Sequence, residues 1–323
     1  MSPGLGAAVA GRARRDPSGA GRSADGPLVA AGGRAGGPLM SATVPHPTAL
    51  RPGKALSIFD PVFIGIDEFG QPVYLPMIYR NILIGGEPGA GKSGLLNGVV
   101  AHAVCSMDCK LVLFDGKQVE LGQWRDCADV FVGPKLEQAL SVLRRLQVMM
   151  DRRYTYLLAC KRRKITPRDA FLPYVVAIDE IAYFSATIGK KTDREEFASL
   201  LRDLVARGRA VGIIVVAATQ RPSSDIIPTS LRDLFAWRYA GRCTNDSSSD
   251  IVLGHGWAQK GWSANTISPT NPGAGLLIAE NGSPRMVKVA YLDDNTCARI
   301  ARHAADLRAD DRDTPVRHLA FAA

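Results

Sequence analysis

Gly86-Glu87-Pro88-Gly89-Ala90-Gly91-Lys92-Ser93 stands between the apolar run Asn81-Ile82-Leu83-Ile84 and the helix-prone Gly94-Leu95-Leu96-Asn97-Gly98-Val99-Val100. Two glycines at this spacing, followed by Lys-Ser and set between a strand and a helix, make a complete P-loop. The glycines let successive backbone N–H groups turn inward around a phosphate, Lys92 reaches the β and γ phosphates, and the Ser93 hydroxyl ligates magnesium. The helix that begins here adds its positive N-terminal end. A glycine turn that binds nothing is the alternative, and the full spacing in this context argues against it. Residues 86–93 are therefore the candidate cradle for ATP and Mg2+.

Working outward, Tyr174-Val175-Val176-Ala177-Ile178 delivers Asp179-Glu180 to the C-terminal end of a strand, where open α/β sheets place their ligand chemistry. Downstream of a P-loop this reads as a Walker B sequence. Asp179 would hold the magnesium through water, and Glu180 would orient and deprotonate the attacking water. A further all-apolar run, Val211 to Ala218, ends in Thr219-Gln220-Arg221-Pro222, which places Gln220 to sense the γ phosphate. Leu111-Val112-Leu113-Phe114 is continuous in the same way and ends at Asp115. Strands apolar on both faces belong to buried, parallel sheets. The fold expected is α/β, a RecA-like P-loop NTPase domain with a mostly parallel central sheet and flanking helices.

The remaining text supplies the other elements. Phe63-Ile64-Gly65-Ile66 and Val73-Tyr74-Leu75 read as a small hairpin ahead of the P-loop strand. Leu136, Ala139, Leu140, Leu143, Leu146 and Met150 recur at helical spacing, in a helix that runs out near the basic cluster Lys161-Arg162-Arg163-Lys164. Thr192 with Glu195 suggests a capping box for a helix ending at Arg207-Gly208-Arg209. Asn281-Gly282 between two apolar runs signals a late hairpin, and a last helix is expected from about Asn295 to Leu307. Residues 1–54 form a Gly/Ala/Arg/Pro-rich leader expected to be disordered, residues 55–310 the motor domain, and residues 311–323 a tail.

Composition narrows the partners. With a formal charge of +9 and 46% hydrophobic residues, the chain is globular and favours a polyanion. Six scattered cysteines without a C-x-x-C pair read as reduced cytosolic thiols, so a cytoplasmic location is expected. No window reaches the roughly 18 to 20 apolar residues of a membrane span, so any membrane association must come through a partner protein.

Taken in order, the P-loop, Asp115-Gly116-Lys117, Asp151-Arg152-Arg153-Tyr154, Asp179-Glu180, Arg209-Ala210-Val211-Gly212 and Ala218-Thr219-Gln220-Arg221-Pro222-Ser223 resemble the FtsK/SpoIIIE family of DNA-pumping ATPases. The lead-in from Phe59 to Arg80 looks like its conjugative branch, the compact transfer proteins of actinobacterial elements. The resemblance implies a ring, a homo-hexamer around double-stranded DNA, with ATP bound between subunits and a septal or membrane partner. It also implies that Arg209 is an arginine finger reaching into the neighbouring site, and that Arg221 and Arg232 face DNA. Asp246 and Asp250, after Arg242, depart from the basic pattern of better-known members.

Two other readings stay open. A protein-secretion ATPase of the same superfamily would use such a motor on polypeptide, and a non-processive switch or scaffold would bind ATP without translocation. A GTPase is disfavoured, because Lys190-Lys191-Thr192-Asp193 lacks the Asn of a guanine-reading segment.

Overall fold

In a computed structural model of the chain, residues 56–280 and 282–312 are described. The expected leader, residues 1–54, lies outside them, as do Asn281 and residues 313–323 of the expected tail.

The apolar runs become strands. In chain order they are β1 (Val62–Asp67), β2 (Pro72–Leu75), β3 (Ile82–Gly85), β4 (Lys110–Phe114), β5 (Val130–Val132), β6 (Tyr174–Ile178), β7 (Ile213–Thr219), β8 (Trp237–Gly241), β9 (Ala274–Ala279) and β10 (Arg285–Val289). They form one sheet in the order β2-β1-β10-β9-β8-β3-β7-β6-β4-β5. The six strands from β8 to β5 are parallel, while β9, β10, β1 and β2 continue the sheet as an antiparallel wing. The expected parallel core is present, and the early and late hairpins are the wing.

The helices among the described residues are α1 (Lys92–Val104), α2 (Leu136–Ala159), α3 (Lys191–Arg207), α4 (Thr229–Arg232), α5 (Asp246–Leu253) and α6 (Asp294–Arg312). Side chains alternate across a strand, so each central strand feeds two cores. Val176, Ile178, Val215 and Ala217 join the core beneath α2 and α3. Val175, Ala177, Ile214 and Val216 join the opposite core, beneath α1 and α6. Arg308 of α6 is buried and donates to the carbonyls of Val104 and Ala103, each at 2.9 Å, which ties the last helix to the C-terminal end of α1. Those carbonyls have no partner within the helix.

Several local expectations are corrected. The capping box does not form: the first intrahelical bond of α3 runs from Arg194 N–H to the Lys190 carbonyl, which puts Thr192 inside the first turn with its hydroxyl toward Asp193. Strand β7 begins at Ile213, not Val211, because residues 208–211 form a 3-10 turn closed by Gly212 at φ 76°. Helix α2, by contrast, ends beside the basic cluster as expected, at Ala159, and stops as Lys161 enters the left-handed region at φ 53°. The last helix starts at Asp294 and extends to Arg312, beyond the expected Leu307.

Candidate nucleotide site

Parallel register gathers the motifs on one edge. Gly85 of β3 lies beside Thr219 of β7, Ala217 of β7 beside Ile178 of β6, and Ile178 beside Phe114 of β4. The residues that follow these strands are the P-loop, Gln220, Asp179-Glu180 and Asp115, so all of them open onto the C-terminal edge of the sheet.

The loop is held from outside by the ends of β8 and β9. Glu87 N–H donates to the Arg242 carbonyl at 2.9 Å, the Arg242 guanidinium pairs with the Glu87 carboxylate, and Gly273 N–H donates to the Ala90 carbonyl at 3.2 Å. Gly91 has φ 85°, and a Cβ there would fall 2.3 Å from the Gly273 nitrogen, so no other residue fits. Pro88 and Gly89 are exposed at the tip, while Gly86 and Ala90 are buried at its base. The Lys92 ammonium is buried and donates to the Glu87 carbonyl at 2.8 Å. Burial draws its pKa down, and the charges of Glu180 and Asp179 work against that. Ser93 is exposed in the first turn of α1.

Asp179 is 8% exposed, and its carboxyl is pushed up to about 7, first by burial and then by Asp115, Glu120 and Glu180. A carboxylate so placed gains from a cation. Among the described residues no three His, Cys, Asp or Glu side chains converge into a preformed metal site. Magnesium at such sites is held by one or two protein oxygens together with substrate phosphates. The residues present, Ser93 and Asp179, suit that role. Asp115, fully buried, accepts the N–H groups of Lys117, Gln118 and Leu121 at 2.8 to 2.9 Å and so shapes the next loop.

Both carboxylate oxygens of Glu180 are engaged. One accepts the Thr219 hydroxyl at 2.6 Å and Ala182 N–H at 3.0 Å, and the other accepts Gln220 N–H at 2.7 Å. Thr219 was not singled out from the sequence, although its place at the end of an apolar run, beside Gln220, could have marked it.

Arg209 lies in the 3-10 turn before β7, at the opposite edge of the sheet. The seven residues of β7 span roughly 20 Å, so Arg209 cannot reach the P-loop of its own chain. It stands 3.6 Å from Glu280 and borders a cavity of about 560 Å³ lined also by Tyr79, Arg80 and Lys164.

The two expected DNA contacts separate. Arg221 is exposed and pairs loosely with Asp225 at 3.3 Å. Arg232 is only 5% exposed, with its guanidinium on Asp233 at 2.8 Å, so in this conformation it cannot present its charge to a polymer. Asp246 and Asp250 are likewise spent locally. Asp246 accepts the Ser263 hydroxyl, and Asp250 accepts the N–H groups of Gly256 and Ala258.

A mostly parallel sheet whose strand ends gather a P-loop, an Asp-Glu pair and a glutamine defines a RecA-like P-loop ATPase fold. Residues 51–174 match the FtsK/SpoIIIE family, so the resemblance read from the motifs stands. A relative named DNA translocase FtsK, from Treponema pallidum, is 31% identical over 262 residues, which are 75% of this chain and 31% of the relative. The chain thus spans about a third of the length of the curated relatives it matches. The solved structure of the pCW3 conjugation coupling protein TcpA, in monomer form with ATPγS, is similar at a TM-score of 0.68 with 20% identity, covering 80% of this chain and 73% of that one. The cytoplasmic domain of the type VII secretion ATPase EccC from Thermomonospora curvata is similar at 0.62 with 21% identity, covering 86% and 34%. At these identities the likeness is one of fold.

Proposed function

We propose that this chain hydrolyses ATP to move double-stranded DNA, as a ring-forming motor serving plasmid or integrative-element transfer. The observation that carries the reading is the split between edges: Lys92, Ser93, Asp179, Glu180 and Gln220 share one edge of the sheet, and Arg209 occupies the other. A nucleotide on one subunit would then complete its site with the guanidinium of the next.

In this reading the N–H groups of residues 86–93 and the Lys92 ammonium bind the phosphates. Ser93 and Asp179 would hold Mg2+, which when bound would supply positive charge to the phosphates. Glu180 takes the proton of the attacking water, and Gln220 senses the γ phosphate. Arg209 stabilises the charge that develops in the neighbouring subunit's site. Arg221 contacts DNA phosphates, which carry no sequence information. The relative named DNA translocase supports DNA as the polymer. The chain would work in the cytoplasm as a homo-hexamer, meeting the membrane or septum through a partner, and no helix among the described residues is long and apolar enough to cross a membrane.

The fold likeness to EccC supports a second reading, in which the polymer is polypeptide. One measurement separates the two: ATP turnover with no polymer, with double-stranded DNA, with single-stranded DNA and with an unfolded polypeptide. Stimulation by duplex DNA is expected, and stimulation by polypeptide alone would overturn the DNA reading.

A further inference from the structure

One hydroxyl joins the candidate base to the candidate polymer contact. Thr219 is fully buried at the end of β7 and donates to Glu180 at 2.6 Å. The same oxygen accepts the backbone N–H of Arg221 at 3.1 Å. Between them, Gln220 N–H holds the other oxygen of Glu180 at 2.7 Å. Two consecutive residues therefore grip one carboxylate through two hydrogen bonds, and a third bond ties that grip to Arg221, whose side chain extends into solvent.

We infer that Thr219 is a positioning residue that keeps Glu180 on the end of β7 until the Arg221 segment moves. The inference rests on the reading above, in which Glu180 is the base and Arg221 meets a polyanion. A carboxylate whose two oxygens accept three donors from its own chain is oriented by them and not by a water molecule. To take a proton from water it must exchange at least one of those bonds. The Arg221 side chain is held in this conformation by the exposed carboxylate of Asp225 at 3.3 Å, a pair easily replaced by a phosphate. A phosphate that draws Arg221 away from Asp225 pulls on its backbone N–H. The Thr219 hydroxyl is the next atom in line. Its rotation removes the shorter of the two bonds on one oxygen of Glu180 and leaves there only the N–H of Ala182 at 3.0 Å, so polymer contact and water activation become linked through a single side chain. A threonine that only filled space would have no reason to prefer its hydroxyl over a methyl at this fully buried point.

The test compares Thr219→Val and Thr219→Ser with the unaltered full chain, measuring ATP turnover without polymer and with duplex DNA. Val has the shape without the hydroxyl, and Ser keeps the hydroxyl. Thr219→Val is expected to raise the unstimulated rate several-fold and to bring the stimulated-to-basal ratio toward one, whereas Thr219→Ser retains the ratio of the unaltered protein. An independent readout is amide hydrogen exchange over residues 218–226 in the absence of nucleotide: duplex DNA should speed exchange at Gln220 and Arg221 in the unaltered protein, and Thr219→Val should be fast at Arg221 without DNA. A Thr219→Val protein with an unchanged ratio and unchanged exchange overturns the inference while leaving the base assignment standing. Glu180→Gln turning over at the unaltered rate overturns the base assignment itself, and the role of Thr219 with it. If Thr219→Val melts early, Thr219→Ser and the exchange response of the unaltered protein to DNA still decide the matter.

Discussion

Arg207 and Arg209 lie two residues apart and are used differently. Arg207 closes on Asp203 at 2.6 Å and on Asp151 at 2.9 Å, so its charge is satisfied within the subunit. Among the described residues Arg209 has one loose partner, Glu280 at 3.6 Å, from which it can leave at little cost. Of the two, Arg209 is the one free to serve a neighbour. Arg209→Ala should bind nucleotide normally and lose on the order of 10³-fold in turnover. Mixing it with Lys92→Ala protein should restore part of the activity, because some interfaces then pair an intact P-loop with an intact arginine. A mixture as inactive as its components, in rings that still form, would sink the shared site. Arg207→Ala should instead lower the melting temperature and leave turnover per folded chain nearly unchanged.

Asp179 gives a pH dependence whose sign can be worked out. Its ordinary value is 3.8 and its folded value about 7, so between those pH values the folded chain holds a proton that the unfolded chain has released. This group's contribution to stability is therefore largest at low pH, falls as pH rises from about 4 to about 7, and is level above that. A cation reverses the cost by favouring the carboxylate. The rise in melting temperature produced by Mg2+ with nucleotide should be larger at pH 8 than at pH 6, and this difference between pH values should be absent in Asp179→Asn. That variant should melt higher than the unaltered chain at pH 8 without metal. A magnesium effect equal at both pH values would remove Asp179 from the metal site.

Lys92 and Glu180 should fail in different ways. Lys92→Ala removes the main counter-charge of the phosphates and should abolish nucleotide binding, read by a fluorescent ATP analogue. Glu180→Gln keeps the shape and the bond from Gln220 N–H, so binding should persist while turnover falls by roughly 10²- to 10⁴-fold.

Arg153 predicts a purely structural loss. It is 4% exposed, donates to the carbonyls of Val211 at 2.7 Å and Leu172 at 2.6 Å, and lies against the rings of Phe171 and Tyr174 at 4.5 and 4.8 Å. Arg153→Met removes the donor from the buried Val211 carbonyl and from the half-buried Leu172 carbonyl and should cost about 2 to 4 kcal/mol in urea unfolding. Nucleotide affinity, measured where the variant remains folded, should hardly move. A drop in affinity as large as that in Lys92→Ala would give Arg153 a role at the nucleotide.

The nucleotide edge was legible because each of its motifs follows an apolar run, and burial on both faces forces such runs into parallel strands that end together. What escaped was set by partners far away in sequence. Arg232 reads as an exposed cation, yet α4 and α5 bury it, and no local pattern announces that. Thr192 and Glu195 carry the letters of a capping box, but Lys190 already accepts the first helical bond. Arg153, quoted only as part of a family motif, proves to be a brace between the turn before β7 and the segment before β6. Thr219 lay within the quoted text, and its role appears only when β6 is laid beside β7.

The strand that carries the P-loop, β3, sits between β7 and β8, both made much later in the chain, and the loop itself is closed by Arg242 and Gly273. During synthesis residues 82–85 emerge with neither neighbour available, and the wing needs Gly65 to find Val289. Such long loop closures are slow, and they come after the local helices. A growing chain halted before residue 213 would hold every letter of the P-loop and no pocket in which to use it. The candidate nucleotide site is thus among the last things this polypeptide builds, and in the reading proposed above a half-made chain has no means of consuming ATP.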